Sequence, residues 1–253
     1  MKTRSILGVW TLALAVAAIA ILIIATGDHT NDKLALILLA VPIMLAFVAS
    51  GLVARAQRPQ NRTGLLLIIV GFSWFFGALP SAGNDYVFTA GLVLGTLFTA
   101  LLAHLLLAFP TGELATRTDR AIAIAFYAAA AVGPTLAFVF DEGDLTSGYC
   151  DGPCPDNVLS TAPNQTIANG IALVYVLSLL VLALLVLVRL VRRWRSASPA
   201  LRRALAPVFA TAALLIGTVL VQNLVSLVSE RAAEAVNWVT LGALLLKIGR
   251  AHV

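Results

Sequence analysis

Charge is the first scarcity. Only 11% of the residues are Asp, Glu, Lys or Arg, where a soluble domain carries about a quarter. With 60% hydrophobic residues and a mean hydropathy of +0.96, too little polar surface exists to wrap a water-soluble core. That excludes an ordinary soluble domain and makes a bilayer the natural solvent. Cysteine is scarce too: Cys150 and Cys154 are the pair present, and a closed zinc site needs further ligands. The phosphate-cradling patterns G-x-x-x-x-G-K-[ST] and G-x-G-x-x-G are absent, as is the zinc motif H-E-x-x-H. Ten-residue alternation is missing, which excludes a membrane barrel. There is no clear internal repeat of the kind many transporters carry.

What is there is a series of apolar runs. They cover residues 6–26, 34–53, 65–79, 87–109, 121–140, 167–191, 208–228 and 236–246. A helix needs about 20 apolar residues to cross about 30 Å of hydrocarbon. Inside lipid every backbone amide must be bonded within its own segment, so the runs read as helices. The expected fold is an all-α, polytopic integral membrane bundle of about eight transmembrane helices, the last one incomplete. The third run is short, bounded by Gly64 and Pro80. The first follows Lys2 and Arg4 but exceeds the usual 7–15 residue core of a signal peptide, so it reads as a retained helix.

Basic residues set the orientation, because Lys and Arg collect in cytoplasmic loops. With the N-terminus inside, thirteen of the seventeen Lys and Arg fall in inner loops and only Lys33 and Arg231 in outer ones. Ten of the twelve acids fall outside. The net charge of +5 is therefore the basic rim of a membrane protein facing anionic head groups, with no nucleic-acid partner implied. The densest basic segment, 189–205, reads as a topology anchor or an anionic-lipid contact.

The eighth run holds about 11 apolar residues before Lys247, or about 16 Å of helix, half a membrane. The end "IGRAHV" coincides with one reading frame of a common short-read sequencing adapter. The reading is that 1–246 is a multi-pass transmembrane domain and 247–253 a non-native tail on a truncated gene.

Two stretches carry more than hydropathy. "NRTGLLLIIVGFSWFFGAL" places Asn61, Arg62 and Gly64 before a Leu-rich span containing Trp74. "HLLLAFPTGEL" ends the fourth span with Phe109, Pro110 and Gly112. Pro110 cannot continue a helix and biases Phe109 out of the helical region. Together with "CDGPCPDNVL" and "ALRRALAPV", these stretches resemble the N-terminal membrane region of actinobacterial-type sensor histidine kinases, over roughly residues 55–246. The resemblance implies a bacterial cytoplasmic-membrane protein that relays an envelope or membrane signal to a kinase core. That core would carry the phosphoaccepting histidine and the ATP- and Mg-binding domain, form a homodimer, and serve a cognate response regulator. None of it lies in this chain, so no cofactor and no catalytic residue is expected here. The competing reading is a multi-pass permease or transporter component.

Cys150 and Cys154 lie in the longest outer loop, where disulfides are permitted. The leading reading is a structural disulfide; a redox-responsive pair and free thiols are the alternatives. The same loop carries five acids, read as a solvated acidic face. His104 is the ionisable residue well inside a span, and such groups default to a functional hypothesis. The leading reading is nevertheless a neutral histidine hydrogen-bonded to a neighbouring helix. Haem or metal ligation would need a second ligand, and neither His29 in an outer loop nor His252 in the tail offers one.

The charge asymmetry generates a direct test. After reduction, a membrane-impermeant thiol reagent should label Cys150 and Cys154 in intact cells. Labelling that requires permeabilisation reverses the orientation.

Overall fold

The computed structural model describes residues 3–196. The described residues contain helices and no strands. In order these are α1 (Thr3–Thr26), α2 (Lys33–Gln57), α3 (Thr63–Ser73), a 3-10 helix (Trp74–Ser81), α4 (Asp85–Leu94), α5 (Leu97–Ala108), α6 (Arg117–Phe140), α7 (Asp144–Ser147) and α8 (Gln165–Ser196). Among the described residues, six spans are long and apolar enough to cross a membrane: Ile6–Thr26, Lys33–Gln57, Thr63–Ser81, Asp85–Ala108, Arg117–Phe140 and Gln165–Ser196. They coincide with the first six apolar runs. The runs at 208–228 and 236–246 and the tail at 247–253 lie outside the described residues. Of the described residues, 3–178 belong to one compact unit and 179–196 to a second.

The third span reaches further than its apolar length suggests. Fifteen residues of α-helix would cover about 22 Å. The structure instead starts the helix at Thr63 and winds its last eight residues, Trp74–Ser81, as a 3-10 helix. At about 1.5 Å per residue for α and 2.0 Å for 3-10, the whole span advances about 32 Å, the thickness of the hydrocarbon. The fourth span is also divided: α4 ends at Leu94 and α5 begins at Leu97. Pro42 and Pro134 sit inside α2 and α6, and each helix runs through its proline as one element.

Packing follows membrane logic. On α1 the small residues turn inward: Ala13 is 0% and Ala20 5% exposed, against 54% for Leu12 and 62% for Leu22. Lipid tails are as apolar as leucine, so large side chains gain little by hiding from them. Small ones let helices approach. Ala13 joins Val48, Leu52 and Ile68 in one cluster, with Trp10 and Phe72 against it. Ala20, Ile24 and Ala78 form another.

The most extensive pairing is between α2 and α3, and two glycines permit it. A Cβ on Gly51 would stand 2.6 Å from the carbonyl oxygen of Gly64, and one on Gly64 2.7 Å from that of Gly51. Both obstacles are backbone, which cannot step aside as a side chain can. Gly64→Ala should therefore destabilise the protein by about 1–3 kcal/mol, the usual range for overpacking. Thermal unfolding in lipid nanodiscs reads the loss; an unchanged midpoint would mean that the helices separate freely.

Candidate functional site

Polar order is concentrated at the two ends of the bundle. One end gathers the loops at 58–62 and 109–116, rich in arginine. The other gathers 27–32, 81–84 and 141–164, which contains the cysteine pair.

At the arginine end the two sequence motifs meet. The carbonyl of Pro110 accepts from Asn61 Nδ2 at 2.7 Å and from Thr63 Oγ1 at 2.8 Å. Asn61 Oδ1 in turn accepts the amide of Thr63 at 2.8 Å, and the Arg62 amide donates to Thr111 O at 3.3 Å. The Asn61 side chain thus closes the turn into α3 and clamps it to the turn leaving α5. Gly112 has φ +80° and lies against the backbone of Arg62 and Thr63, where a Cβ would collide. A left-handed φ and this close approach both demand glycine. Phe109 is extended, at φ −66° and ψ 139°, as a residue before proline prefers. An ion pair joins Arg62 and Glu113 at 3.6 Å; it is well exposed and contributes little.

The structure thus brings together Asn61, Arg62, Phe109, Pro110 and Gly112. Gly64 lies one turn on, spent on the α2 contact. Trp74 stands apart, edge-on to Phe98 with ring centroids 4.4 Å apart, a packing residue within the span. Thr63 is the member that motif reading passed over, although it stands directly after Asn61 and Arg62 in the sequence. A second omission is the helix start at Thr116. Its hydroxyl accepts the Asp119 amide at 3.0 Å and donates to Asp119 Oδ2 at 2.8 Å. That is the S/T-x-x-D/E capping box, legible in "TRTD", and it leaves Asp119 0% exposed.

At the opposite end the 141–164 segment forms an ordered cap. Asp141, 1% exposed, ends α6 and starts α7: its carboxylate accepts the amides of Leu145 at 2.9 Å and Thr146 at 3.0 Å, and the Thr146 hydroxyl. Asp85 accepts the amide of Asp156 at 2.9 Å, and Thr89 Oγ1 that of Val158 at 3.1 Å. Asn157 donates to Phe138 O at 2.8 Å. Leu145, Cys150, Cys154 and Leu159 pack on Phe88, Leu92 and Phe138. Of the five acids expected to form a solvated face, Glu142, Asp144, Asp151 and Asp156 are exposed and Asp141 is the buried exception. Asp85, Asp141 and Asp151 serve as acceptors for loop amides, because a compact loop has more N–H groups than its own carbonyls can reach. Among the described residues, Thr30 Oγ1 is the buried side-chain polar atom without a partner.

Cys150 and Cys154 are joined by a disulfide. By the loop-length relation so short a ring contributes about 2 kcal/mol. Within it, Asp151 reaches the first loop: its amide donates to His29 O at 2.8 Å and its carboxylate accepts the Asn31 amide at 3.0 Å. His29 is 6% exposed. Its Nε2–H donates to Pro80 O at 2.8 Å, and its ring stands edge-on to Phe88. Nothing in the periodicity of the sequence marks His29, since its partners are 51 and 122 residues away. Beside the disulfide lies an open depression of about 710 Å³, lined by Asp141, Glu142, Thr146, Cys154, Asp156 and Ser160 among others.

His104, in α5, lies with Nδ1 3.1 Å from the hydroxyl of Tyr127 in α6. The pair is one interhelical hydrogen bond inside the bundle, and no group of three or more His, Cys, Asp or Glu able to hold a metal occurs among the described residues.

Comparison of the chain with protein-family models, with curated proteins and with solved structures gives no match.

The shared acceptor at Pro110 generates a measurable coupling. Asn61→Ala and Thr63→Val should each destabilise by about 0.5–1.5 kcal/mol. The double variant should lose more than the sum, because only then does the carbonyl lose both donors. A strictly additive cycle would show that water replaces them.

Proposed function

We propose that the chain is the membrane-embedded input region of a bacterial sensor histidine kinase. It has about eight transmembrane helices, its N-terminus and arginine end in the cytoplasm, and its disulfide end in the envelope. The observation that carries the reading is the cap. A connecting loop needs no tertiary bonds. Residues 141–164 instead bond to the first loop through Asp151, to α4 through Asp156 and Val158, and to the end of α6 through Asn157. A change at this surface is thereby felt by several spans at once, which is what an input device requires. The converging Asn61–Gly64 and Phe109–Gly112 motifs add support, since they belong to the family resemblance and are far apart in sequence. In this reading the eighth helix passes inward to a dimerisation helix and an ATP-binding kinase domain beyond residue 246, the partner is a response regulator, and the active form is a homodimer.

One observation favours the permease alternative. The fourth span is interrupted at Gly95–Thr96, and broken helices line many transport sites. The break is sealed, however: the Thr96 hydroxyl lies 2.7 Å from Val93 O and 2.9 Å from Ala130 O, which leaves it turned to neighbouring helices and not toward a substrate path.

Long-read sequencing of the locus decides between the two. The expected result is about 8–12 further apolar residues after Leu246, then Arg or Lys, a heptad-patterned helix with a phosphoaccepting histidine, and an ATP-binding domain. A stop codon directly after a completed helix would favour the permease, and genomic sequence encoding "KIGRAHV" would remove the truncation.

A further inference from the structure

We propose that the Cys150–Cys154 disulfide is a cleavable clasp, opened by thiol–disulfide exchange with an external dithiol, whose opening releases the cap from the first loop.

Three features on different elements point to it. The first is access: Cys154 lines the depression beside α7, while residues 151–153 are exposed, so a small thiolate can reach the Cys154 sulfur from solvent. Buried structural disulfides lack such an approach. The second is what the ring holds. Its five residues contain Asp151, which bonds the first loop twice, through its amide to His29 O and through its carboxylate to the Asn31 amide. Both bonds need the backbone and the side chain of one residue held in a single conformation, and the ring around Asp151 closes on Gly152 at φ +142° and Pro153. The third is where the first loop leads. His29 is bonded to Pro80 and set edge-on to Phe88, so the clasp ends on the third and fourth spans.

The chemistry balances without further components. One thiolate of the dithiol attacks the Cys154 sulfur. The Cys150–Cys154 bond breaks, and Cys150 leaves as a thiolate that takes a proton from water. The second thiol of the reagent, as thiolate, then attacks the reagent's own sulfur in the mixed disulfide. Cys154 is released as a thiol and the reagent departs as a cyclic disulfide. The protein gains two electrons and two protons, and the dithiol loses them. The carboxylates of Glu142 and Asp156 at the approach disfavour anionic thiols and favour neutral or cationic ones.

The test is hydrogen–deuterium exchange on the full chain in lipid nanodiscs, before and after dithiothreitol. Reduction should proceed in the folded protein and raise exchange at the Asn31 and Asp151 amides by on the order of tenfold, with α2 and α3 unchanged. Asp151→Ala, which keeps the disulfide, should show fast exchange at Asn31 while oxidised and no further rise there on reduction. Per thiolate, cysteamine should reduce the bond several-fold faster than mercaptoethanesulfonate. The proposal is overturned if the disulfide is reduced only in denaturant, or if complete reduction leaves the 27–32 amides protected. Equal rates with the two charged thiols would rule out the acidic depression as the route of attack.

Discussion

Backbone N–H and C=O groups inside hydrocarbon have no water to turn to, and each one left unpaired is costly. The rest of this structure depends on that constraint. At three departures from regular helix in the described spans, a specific group takes up the freed bond. The third span tightens into 3-10 pairing and keeps its backbone bonded to the surface. At the break in the fourth span, Thr96 turns its hydroxyl to carbonyls of its own helix and of α6. Where Pro110 ends α5, the Gly112 amide bonds back to Ala108 O at 2.8 Å, and the Pro110 carbonyl is taken by Asn61 and Thr63.

The same constraint drives polar chemistry to the ends. Within the spans the helices meet through alanine and glycine, with His104 and Tyr127 as a cross-helix polar pair. At the ends side chains bond to backbone almost throughout: Asn61 and Thr63 at one, Asp85, Asp141, Asp151 and Asn157 at the other. Both ends therefore tie together loops far apart in sequence, and among the described residues no group of three or more His, Cys, Asp or Glu could hold a metal.

Much of this was legible in the residues. The six described spans sit where the apolar runs place them, because the length of a run is dictated by bilayer thickness and needs no partner to be read. Pro110 and Gly112 were readable as a helix stop and a turn, since both effects are local to the backbone. The capping box at Thr116 was equally local and was passed over. The acidic loop is solvated at four of its five carboxylates, as read; Asp141 departs because composition reports how many carboxylates exist and not which amides they face. Asp141 is buried for a reason that lies four and five residues on, at Leu145 and Thr146.

By itself the sequence determined class, span positions and charge asymmetry, all of which follow from transfer free energies that each residue carries alone. Only the tertiary structure decided which polar groups meet. The clamp of Asn61 and Thr63 on Pro110, the burial of His29 under the disulfide ring and the pairing of His104 with Tyr127 join residues 23 to 122 positions apart. A hydrogen bond acts over about 3 Å, so its partners are fixed by how helices pack and not by any spacing along the chain.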